Sequence, residues 1–259
     1  MSSRPAAPPQ SAPALTAPVE DYLKAVYDLE RTGGAAATNE IAHRLGVAPA
    51  SVSGMVRRLA EQGLLTYERY RGVRLTPDGR RAALRTLRRH RILECYLATV
   101  LGYPWDGVHE EAERLEHAAS DALIDRMAAA LGDPAFDPHG APIPTREGAV
   151  DERHHVALAD LATGARARVV RVSDEDGELL RYLGELALTP GAEVTLVARA
   201  PFDGPITLAV GDARPAVGSV VAQQVLVEPL EPVEAPRTRR SVAGRAAAAA
   251  PGRGNGGTS

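Results

Sequence analysis

The chain has 259 residues, of which 44% are hydrophobic, and this is enough for two or three small domains. No run of about 18 apolar residues occurs, which excludes a transmembrane helix, and the first residues lack the apolar core of a signal peptide. The single cysteine, Cys95, excludes an internal disulfide framework and favours a reducing, cytoplasmic location.

The formal net charge of −3 conceals an uneven distribution of charged residues. Residues 51–91 contain eleven arginines and three acids, whereas residues 92–160 contain fourteen acids and four arginines. A basic segment predicts a polyanionic partner, and an acidic segment predicts either a bound cation or a solvated helical surface.

Composition predicts a disordered tail at each end of the chain. Residues 1–17 are rich in proline, alanine and serine, and residues 231–259 have a similar low-complexity character. We expect the ordered domains between these two tails.

The first ordered segment, residues 18–88, has the pattern of a winged helix-turn-helix. Apolar spacing predicts a helix over about 19–31, a short helix capped by Thr38 and a third helix opening at Pro49 or Ala50. Two short strands around Arg71-Gly72 follow, and a new helix comes after them. This order of elements is typical of DNA-binding domains.

The third helix and the hairpin carry the candidate DNA contacts. Short polar residues at the start of a recognition helix can approach base edges, and arginines on a wing can follow the phosphate backbone. The candidates are Ser51, Ser53, Arg57, Arg58, Arg69, Arg71 and Arg74. The alternative is that these arginines only solvate exposed surfaces, but the order of elements agrees with the charge.

Residues 89–150 contain ligand-type side chains at helical spacing. On a helix predicted over about 109–131, four of them share one arc of roughly 100°; they are His109, Glu113, Glu116 and His117. His90 and Glu94 lie four residues apart on the preceding helix. Two facing helices with carboxylates and imidazoles predict an interior metal site, although such pairs can also be mere surface decoration.

From residue 157 to 230 the pattern changes to short β-type runs separated by turn residues such as Pro190-Gly191 and Asp203-Gly204. This predicts a small antiparallel barrel, reached through a proline-containing linker. The expected fold class is therefore mainly α with a small β domain.

At these residues the chain resembles the diphtheria toxin repressor and manganese transport regulator family of metal-dependent repressors. The resemblance covers roughly residues 18–229. It is carried by EDYLKAVYDLE (20–30), VAPASVSGMVRRLAEQGLL (47–65), YRGVRLTPDGR (70–80), RRHRILECYL (88–97), VHEEAERLEH (108–117) and GAPIP (140–144). It implies a winged-helix domain, a helical dimerisation domain that binds metal, and a C-terminal SH3-like domain.

The resemblance also implies two sets of metal ligands. The primary set would be Asp21, Glu113, Glu116 and His117, and the ancillary set would be His90, Glu94 and His109. An acid from the SH3-like domain completes the ancillary set in some members. Asp176 is the best match here, with Glu175 and Glu178 as rivals.

The resemblance favours Mn²⁺ over Fe²⁺. The iron-sensing branch of the family has methionine and cysteine where this chain has Asp21 and Glu113, and hard oxygen ligands suit Mn²⁺. Two-domain manganese sensors can use a second acid one turn after the first-helix aspartate. That position is Lys24 here, which puts a binuclear site of that type in doubt.

The leading hypothesis is a manganese-activated repressor of metal-transport genes that binds double-stranded operator DNA as a homodimer. It predicts no enzymatic activity, no small organic substrate and no membrane partner. The alternatives are an iron-dependent repressor on the same scaffold, a metal-dependent hydrolase whose winged helix binds a protein, and a DNA-binding protein in which the Glu/His helix is only structural.

Overall fold

The computed structural model describes residues 15–68, 71–151 and 153–230. The predicted C-terminal tail, residues 231–259, lies outside the described residues, as does the predicted N-terminal tail up to residue 14. Ala17, the last residue assigned to that tail, already belongs to the first helix.

The first part of the chain forms three helices and a two-stranded hairpin. They are α1 (Ala17–Gly33), α2 (Thr38–Leu45), α3 (Pro49–Glu61), β1 (Leu65–Glu68) and β2 (Gly72–Leu75). The two strands pair antiparallel, so the predicted winged helix-turn-helix is confirmed. One detail differs, because the N-cap of α2 is Ala37, whose backbone N–H donates to Glu40 Oε2 at 2.9 Å.

Two helices replace the single acidic helix predicted for residues 109–131. α4 (Pro77–Thr99) is followed by α5 (Val108–Leu115) and α6 (Asp121–Ala130). Ser120 starts α6 afresh, because its hydroxyl accepts a hydrogen bond from the N–H of Leu123 at 3.3 Å. Glu116 and His117 precede this new cap and therefore lie after the end of α5 instead of within one long helix.

The last part of the chain forms a six-stranded antiparallel sheet, as expected for a small β domain. Its strands are β3 (Val156–Ala157), β4 (Arg166–Val172), β5 (Glu193–Arg199), β6 (Ile206–Val210), β7 (Ala216–Val217) and β8 (Val225–Pro229). Their spatial order is β3-β8-β4-β5-β6-β7. Two helices within this part were not predicted, and they are α7 (Gly177–Glu185) and α8 (Ser219–Gln223).

α4 connects two of the three hydrophobic cores. Its first half contributes Ala83, Leu84 and Leu87 to the winged-helix core. Its second half contributes Ile92, Leu93 and Leu97 to the core shared with α5 and α6. Cys95 is buried in the same core, as predicted. Polar side chains near the middle of α4 are therefore held by apolar packing on both sides.

The loop after α6 approaches the β domain closely. Gly140 has a φ of +87°, and a Cβ at this position would lie 1.9 Å from the carbonyl oxygen of Val170. The N–H of Val172 donates to the carbonyl of the neighbouring His139 at 2.9 Å. Glycine permits this approach, which brings residues 137–140 against β4.

Among the helices within the described ranges, none combines the length and the apolar character that a membrane span requires. α4 is the longest of those helices at 23 residues, and it carries several arginines along its length. Its apolar side chains pack against other elements of the chain instead.

Candidate metal centre and nucleic-acid interface

The first cluster of ligand-type side chains lies where α1 meets the end of α5. The donor atoms of Asp21, Glu116 and His117 lie within 4.8 Å of one another, and we call these three residues the primary cluster. His117 Nε2 is 2.8 Å from Asp21 Oδ1 and 3.5 Å from Glu116 Oε1. Since Asp21 belongs to α1 and the other two follow α5, the cluster joins the winged-helix part to the helical part.

The orientation of the His117 ring depends on Glu20, which the sequence analysis did not single out. Glu20 is buried, and its Oε2 lies 2.7 Å from His117 Nδ1. A carboxylate accepts the Nδ1 hydrogen, so Nε2 is the ring atom that faces Asp21 and Glu116. Glu20 Oε1 also accepts from Arg89 Nη1 at 3.0 Å. The feature of the sequence that could have indicated Glu20 was an acid within the apolar pattern of the first helix.

Lys24 lies between two of the predicted ligands. Its Nζ is 2.5 Å from Glu113 Oε1 and 2.7 Å from Glu116 Oε1. Burial lowers the pKa of Lys24, but the negative charges of Glu116 and Glu113 outweigh burial and raise it, so the amine stays protonated. Glu113 was predicted in the primary set, and the structure places its carboxylate beside this ammonium group.

His90 connects the primary cluster to the predicted ancillary residues. Its Nδ1 lies 2.6 Å from Glu116 Oε2, and its Nε2 lies 3.0 Å from Glu94 Oε1. His109 Nδ1 is 3.3 Å from the same Glu94 oxygen. The structure therefore brings together His90, Glu94 and His109, the three residues predicted for the ancillary site.

His90 must lose a proton before it can bind a metal ion. Burial lowers its pKa, but the charge of Glu94 and the hydrogen bonds with Glu116 and Glu94 outweigh burial and raise the pKa to about 10. At neutral pH the ring is an imidazolium that links two carboxylates. The pKa of Glu94 is lowered, because burial is outweighed by the charge of His90 and by hydrogen bonds from His109 and His90.

Asp176, the predicted ligand from the β domain, has a different role. Its Oδ1 accepts hydrogen bonds from the backbone N–H groups of Glu178 at 2.8 Å and Leu179 at 3.3 Å. It is therefore the N-cap of α7, and it does not belong to the groups of donor atoms within 4.8 Å of one another around Glu94. The side chain of Glu178, one of its rivals, is exposed.

Asp174, which the sequence analysis did not name, is the acid of the β domain that lies beside the ancillary residues. Donor atoms of Glu94, His109 and Asp174 lie within 4.8 Å of one another. The other rival, Glu175, pairs with Arg44 of α2 at 2.6 Å. The sequence has four closely spaced acids here and does not show which of them faces the ancillary residues. That choice depends on how the chain turns between β4 and α7.

A third ligand-type group was missed by the sequence analysis. Glu94, Asp137 and His139 are all buried, and their donor atoms lie within 4.8 Å of one another. Within the described part of the chain, no hydrogen bond reaches Glu94 Oε2, Asp137 Oδ2 or His139 Nδ1. Asp137 Oδ2 has an ion pair with Arg91 Nε at 3.5 Å. Buried polar atoms normally have hydrogen-bond partners, so two oxygens and one nitrogen without one fit a metal ion.

The imidazole of His139 is in the tautomer that a metal ligand requires. Its Nε2 lies 2.7 Å from the carbonyl oxygen of Trp105, which can only accept a hydrogen bond. Nε2 therefore carries a hydrogen, which leaves Nδ1, 3.6 Å from Glu94 Oε1, as the ring atom that would bind a metal ion. The Asp-x-His spacing in the sequence DPHG was the only available signal for this group.

Burial and neighbouring charges also shift the other groups of these clusters. Burial lowers the pKa of His117, but its hydrogen bond with Glu20 and the charge of Asp21 outweigh burial and raise it. For Asp137, burial and the charge of Glu94 raise the pKa to about 6. These shifts favour the protonated forms, so a metal ion would compete with protons for these side chains.

The predicted DNA contacts form an exposed surface on α3 and the hairpin. Val52, Val56 and Leu59 bury the opposite face of α3. The exposed candidates are Ser51, Ser53, Arg57, Arg58, Arg71 and Arg74. Arg71 pairs with Glu68 at 3.1 Å, and Ser53 Oγ donates to the carbonyl of Pro49 at 3.2 Å. Arg69 lies outside the described residues.

Three family models match successive parts of the chain. The model described as "Iron dependent repressor, N-terminal DNA binding domain" matches residues 14–73. The model described as "Iron dependent repressor, metal binding and dimerisation domain" matches residues 76–145, and the FeoA domain model matches residues 156–229.

Relatives and solved structures agree with these matches. The iron-dependent repressor IdeR of Mycobacterium tuberculosis is 34% identical over 221 residues, which cover 81% of this chain and 96% of that protein. The diphtheria toxin repressor of Corynebacterium diphtheriae is 32% identical over 199 residues, which cover 73% of this chain and 87% of that protein. A solved manganese-dependent transcriptional repressor in complex with manganese is 40% identical with a TM-score of 0.78, and the match covers 82% of this chain and 100% of that one. The chain therefore belongs to the diphtheria toxin repressor and manganese transport regulator family of metal-dependent transcriptional repressors, in its three-domain form.

Proposed function

We propose that the protein is a manganese-activated repressor of metal-transport genes. It would bind double-stranded operator DNA as a homodimer through α3 and the hairpin. The single observation that carries the proposal is the contact across the first two domains, in which His117 Nε2 lies 2.8 Å from Asp21 Oδ1 and 3.5 Å from Glu116 Oε1.

Asp21, Glu116 and His117 would hold the ion, and Glu20 would keep the His117 ring in position. A divalent ion supplies the positive charge that lets two carboxylates and one imidazole share a small volume. Asp21 moves with α1, which packs against α2 and α4. Shared coordination would therefore restrict the angle between the DNA-binding part and the helical part.

This restriction would act on DNA binding through the geometry of the dimer. Two recognition helices dock productively when they are about 34 Å apart, which is one turn of DNA. Metal favours operator binding only to the extent that it binds this arrangement more tightly than others. Exposed apolar residues at the end of α4 and on α6 support a second copy of the chain as partner; they are Val100, Leu101, Tyr103 and Leu123.

His90, Glu94, His109 and Asp174 would hold a second ion, and Asp137 and His139 offer further donor atoms beside Glu94. The first three of these side chains lie on α4 and α5, and Asp174 follows β4 of the β domain. Coordination by all four would attach the β domain to the helical part. The lack of a hydrogen-bond partner for Glu94 Oε2, Asp137 Oδ2 and His139 Nδ1 supports a cation at this place.

The ligand chemistry supports manganese, and iron is the second candidate. The primary cluster contains two carboxylates and one imidazole and no sulfur, a set that suits Mn²⁺. Solved structures similar to this chain include one titled "Structure of the manganese regulator SloR". Iron is favoured by the curated relatives, because several of them are named iron-dependent repressors.

Replacing Asp21 tests the proposed coupling. In coupled systems of this kind an effector changes affinity by roughly 5- to 150-fold. We expect Asp21→Ala to remove most of the increase in operator affinity that Mn²⁺ produces, because α1 loses its ligand. Fluorescence anisotropy with labelled promoter DNA, with Mn²⁺ or with a chelator, measures this increase.

Glu110→Ala is the matched control for this experiment. Glu110 is an exposed acid on α5, paired only loosely with Arg114 at 3.5 Å, so its loss should leave the response to Mn²⁺ unchanged. Full Mn²⁺-dependent binding by Asp21→Ala would show that the primary cluster does not transmit the signal.

Replacing Asp174 and Asp176 separately tests the second ligand set. We expect Asp174→Ala to bind one Mn²⁺ fewer per protomer, because its carboxylate lies beside Glu94 and His109. Asp176→Ala should keep the ion count and lose about 1 kcal/mol of stability, because it removes a helix cap. Equilibrium dialysis followed by elemental analysis counts the ions, and the opposite pattern would restore Asp176 as the ligand.

The response to manganese should weaken in acid. The pKa values of His90, His109 and His117 are raised, so protons compete with Mn²⁺ at higher pH than they would at ordinary histidines. Mn²⁺ affinity should therefore fall as the pH drops from about 8 to about 6. Calorimetric titration at several pH values measures it, and an affinity that is constant or rises in acid would contradict this ligand set.

A further inference from the structure

Lys24 is the only lysine in the chain. The other 29 residues counted as Lys or Arg are all arginines. The two side chains are not equivalent, because arginine presents a broad planar fork whereas lysine presents a compact ammonium with three donors. A chain that uses arginine at every other basic position has lysine at one place, and that place adjoins the primary cluster.

The position of the Lys24 ammonium is set by two carboxylates from another part of the chain. Nζ lies 2.5 Å from Glu113 Oε1 and 2.7 Å from Glu116 Oε1. The Lys24 side chain is only 14% exposed, and the Glu116 side chain is fully buried. Lys24 also follows Asp21 by three residues, so both project from neighbouring positions on one side of α1.

A point on which two carboxylate oxygens converge is a typical binding position for a bridging cation. In two-metal sites the ions lie about 3.5–4 Å apart and share ligands of this kind. Glu116 would be such a shared ligand here, because its Oε1 lies 2.7 Å from Lys24 Nζ and 3.5 Å from His117 Nε2.

We propose that Lys24 is a built-in cation of the primary cluster. Its ammonium holds the position between Glu113 and Glu116 and limits the cluster to one divalent ion, bound by Asp21, Glu116 and His117. It also supplies a permanent link between α1 and α5. This inference rests on the proposed function, since it concerns how many ions the regulatory site takes.

The wild-type protein allows a direct test, because lysine labelled with ¹³C at Cε reports on one residue only. Cd²⁺ serves as a diamagnetic probe ion. We expect the Lys24 resonance to differ from that of the urea-unfolded chain and to stay distinct when the protein is saturated with Cd²⁺. A shift to the unfolded-chain position on saturation would mean that the ion displaces Lys24, and would overturn the proposal.

A pair of variants provides a second test that does not depend on DNA binding. Lys24→Glu should bind one more Mn²⁺ per protomer than the wild type and give the exchange-coupled electron paramagnetic resonance spectrum of two neighbouring ions. Lys24→Arg, which keeps the charge, should bind no additional ion. An unchanged count in a folded Lys24→Glu protein would overturn the proposal, and if this variant does not fold, the wild-type resonance decides.

The outcomes separate this inference from the function on which it rests. If the wild type responds to Mn²⁺ on operator DNA but Lys24 is displaced or Lys24→Glu gains no ion, only the role of Lys24 is wrong. If the wild-type primary cluster takes up neither Cd²⁺ nor Mn²⁺, the proposed function fails, and the role of Lys24 fails with it.

Discussion

The concentration of negative charge where α1 meets α5 is the constraint on which the rest of the structure depends. Four carboxylates converge there, and they belong to Glu20, Asp21, Glu113 and Glu116. Carboxylates in a partly buried space repel one another, and each needs a cation or a hydrogen-bond donor. The chain supplies some of this positive charge itself, through Lys24 and Arg89. A metal ion would supply more, and this requirement would make the junction between the two domains sensitive to metal.

α4 transmits this constraint to the other clusters. Three consecutive residues at its centre face three different partners, because Arg89 binds Glu20, His90 binds Glu116, and Arg91 donates to the carbonyl of Pro142 at 2.6 Å. Buried charged residues contribute little net stability, so their value lies in specifying one arrangement of the surrounding elements. Apolar packing on both halves of α4 holds these partners in place, and the two candidate ion sites are joined by this one helix.

Local signals account for what could be predicted. Apolar spacing, glycines and prolines determine the helices and the hairpin of the winged helix, and these act over a few residues. The ligand types at 90, 94, 109 and 113–117 were visible as helical spacing, and the family resemblance added Asp21. The break before Ser120 was missed, because Glu116 and His117 continue the helical pattern up to a cap that interrupts it.

The parts that were missed depend on tertiary contacts. Asp174 and Asp176 are equivalent in sequence, and only the start of α7 makes one of them a cap. Asp137 and His139 become candidate ligands because Gly140 lets their loop approach β4. No local sequence pattern indicates this approach. Glu20 was not singled out in the sequence, yet it is buried against Arg89 and His117.

Operator binding by the wild-type chain, measured by fluorescence anisotropy while free Mn²⁺ and free Fe²⁺ are varied separately without oxygen, tests the central claim most directly. A chelator defines the metal-free baseline. The account predicts tight operator binding that begins at a lower free concentration of Mn²⁺ than of Fe²⁺. Operator binding that is equally tight in the chelator would contradict the account, and binding that begins first with Fe²⁺ would assign the site to iron.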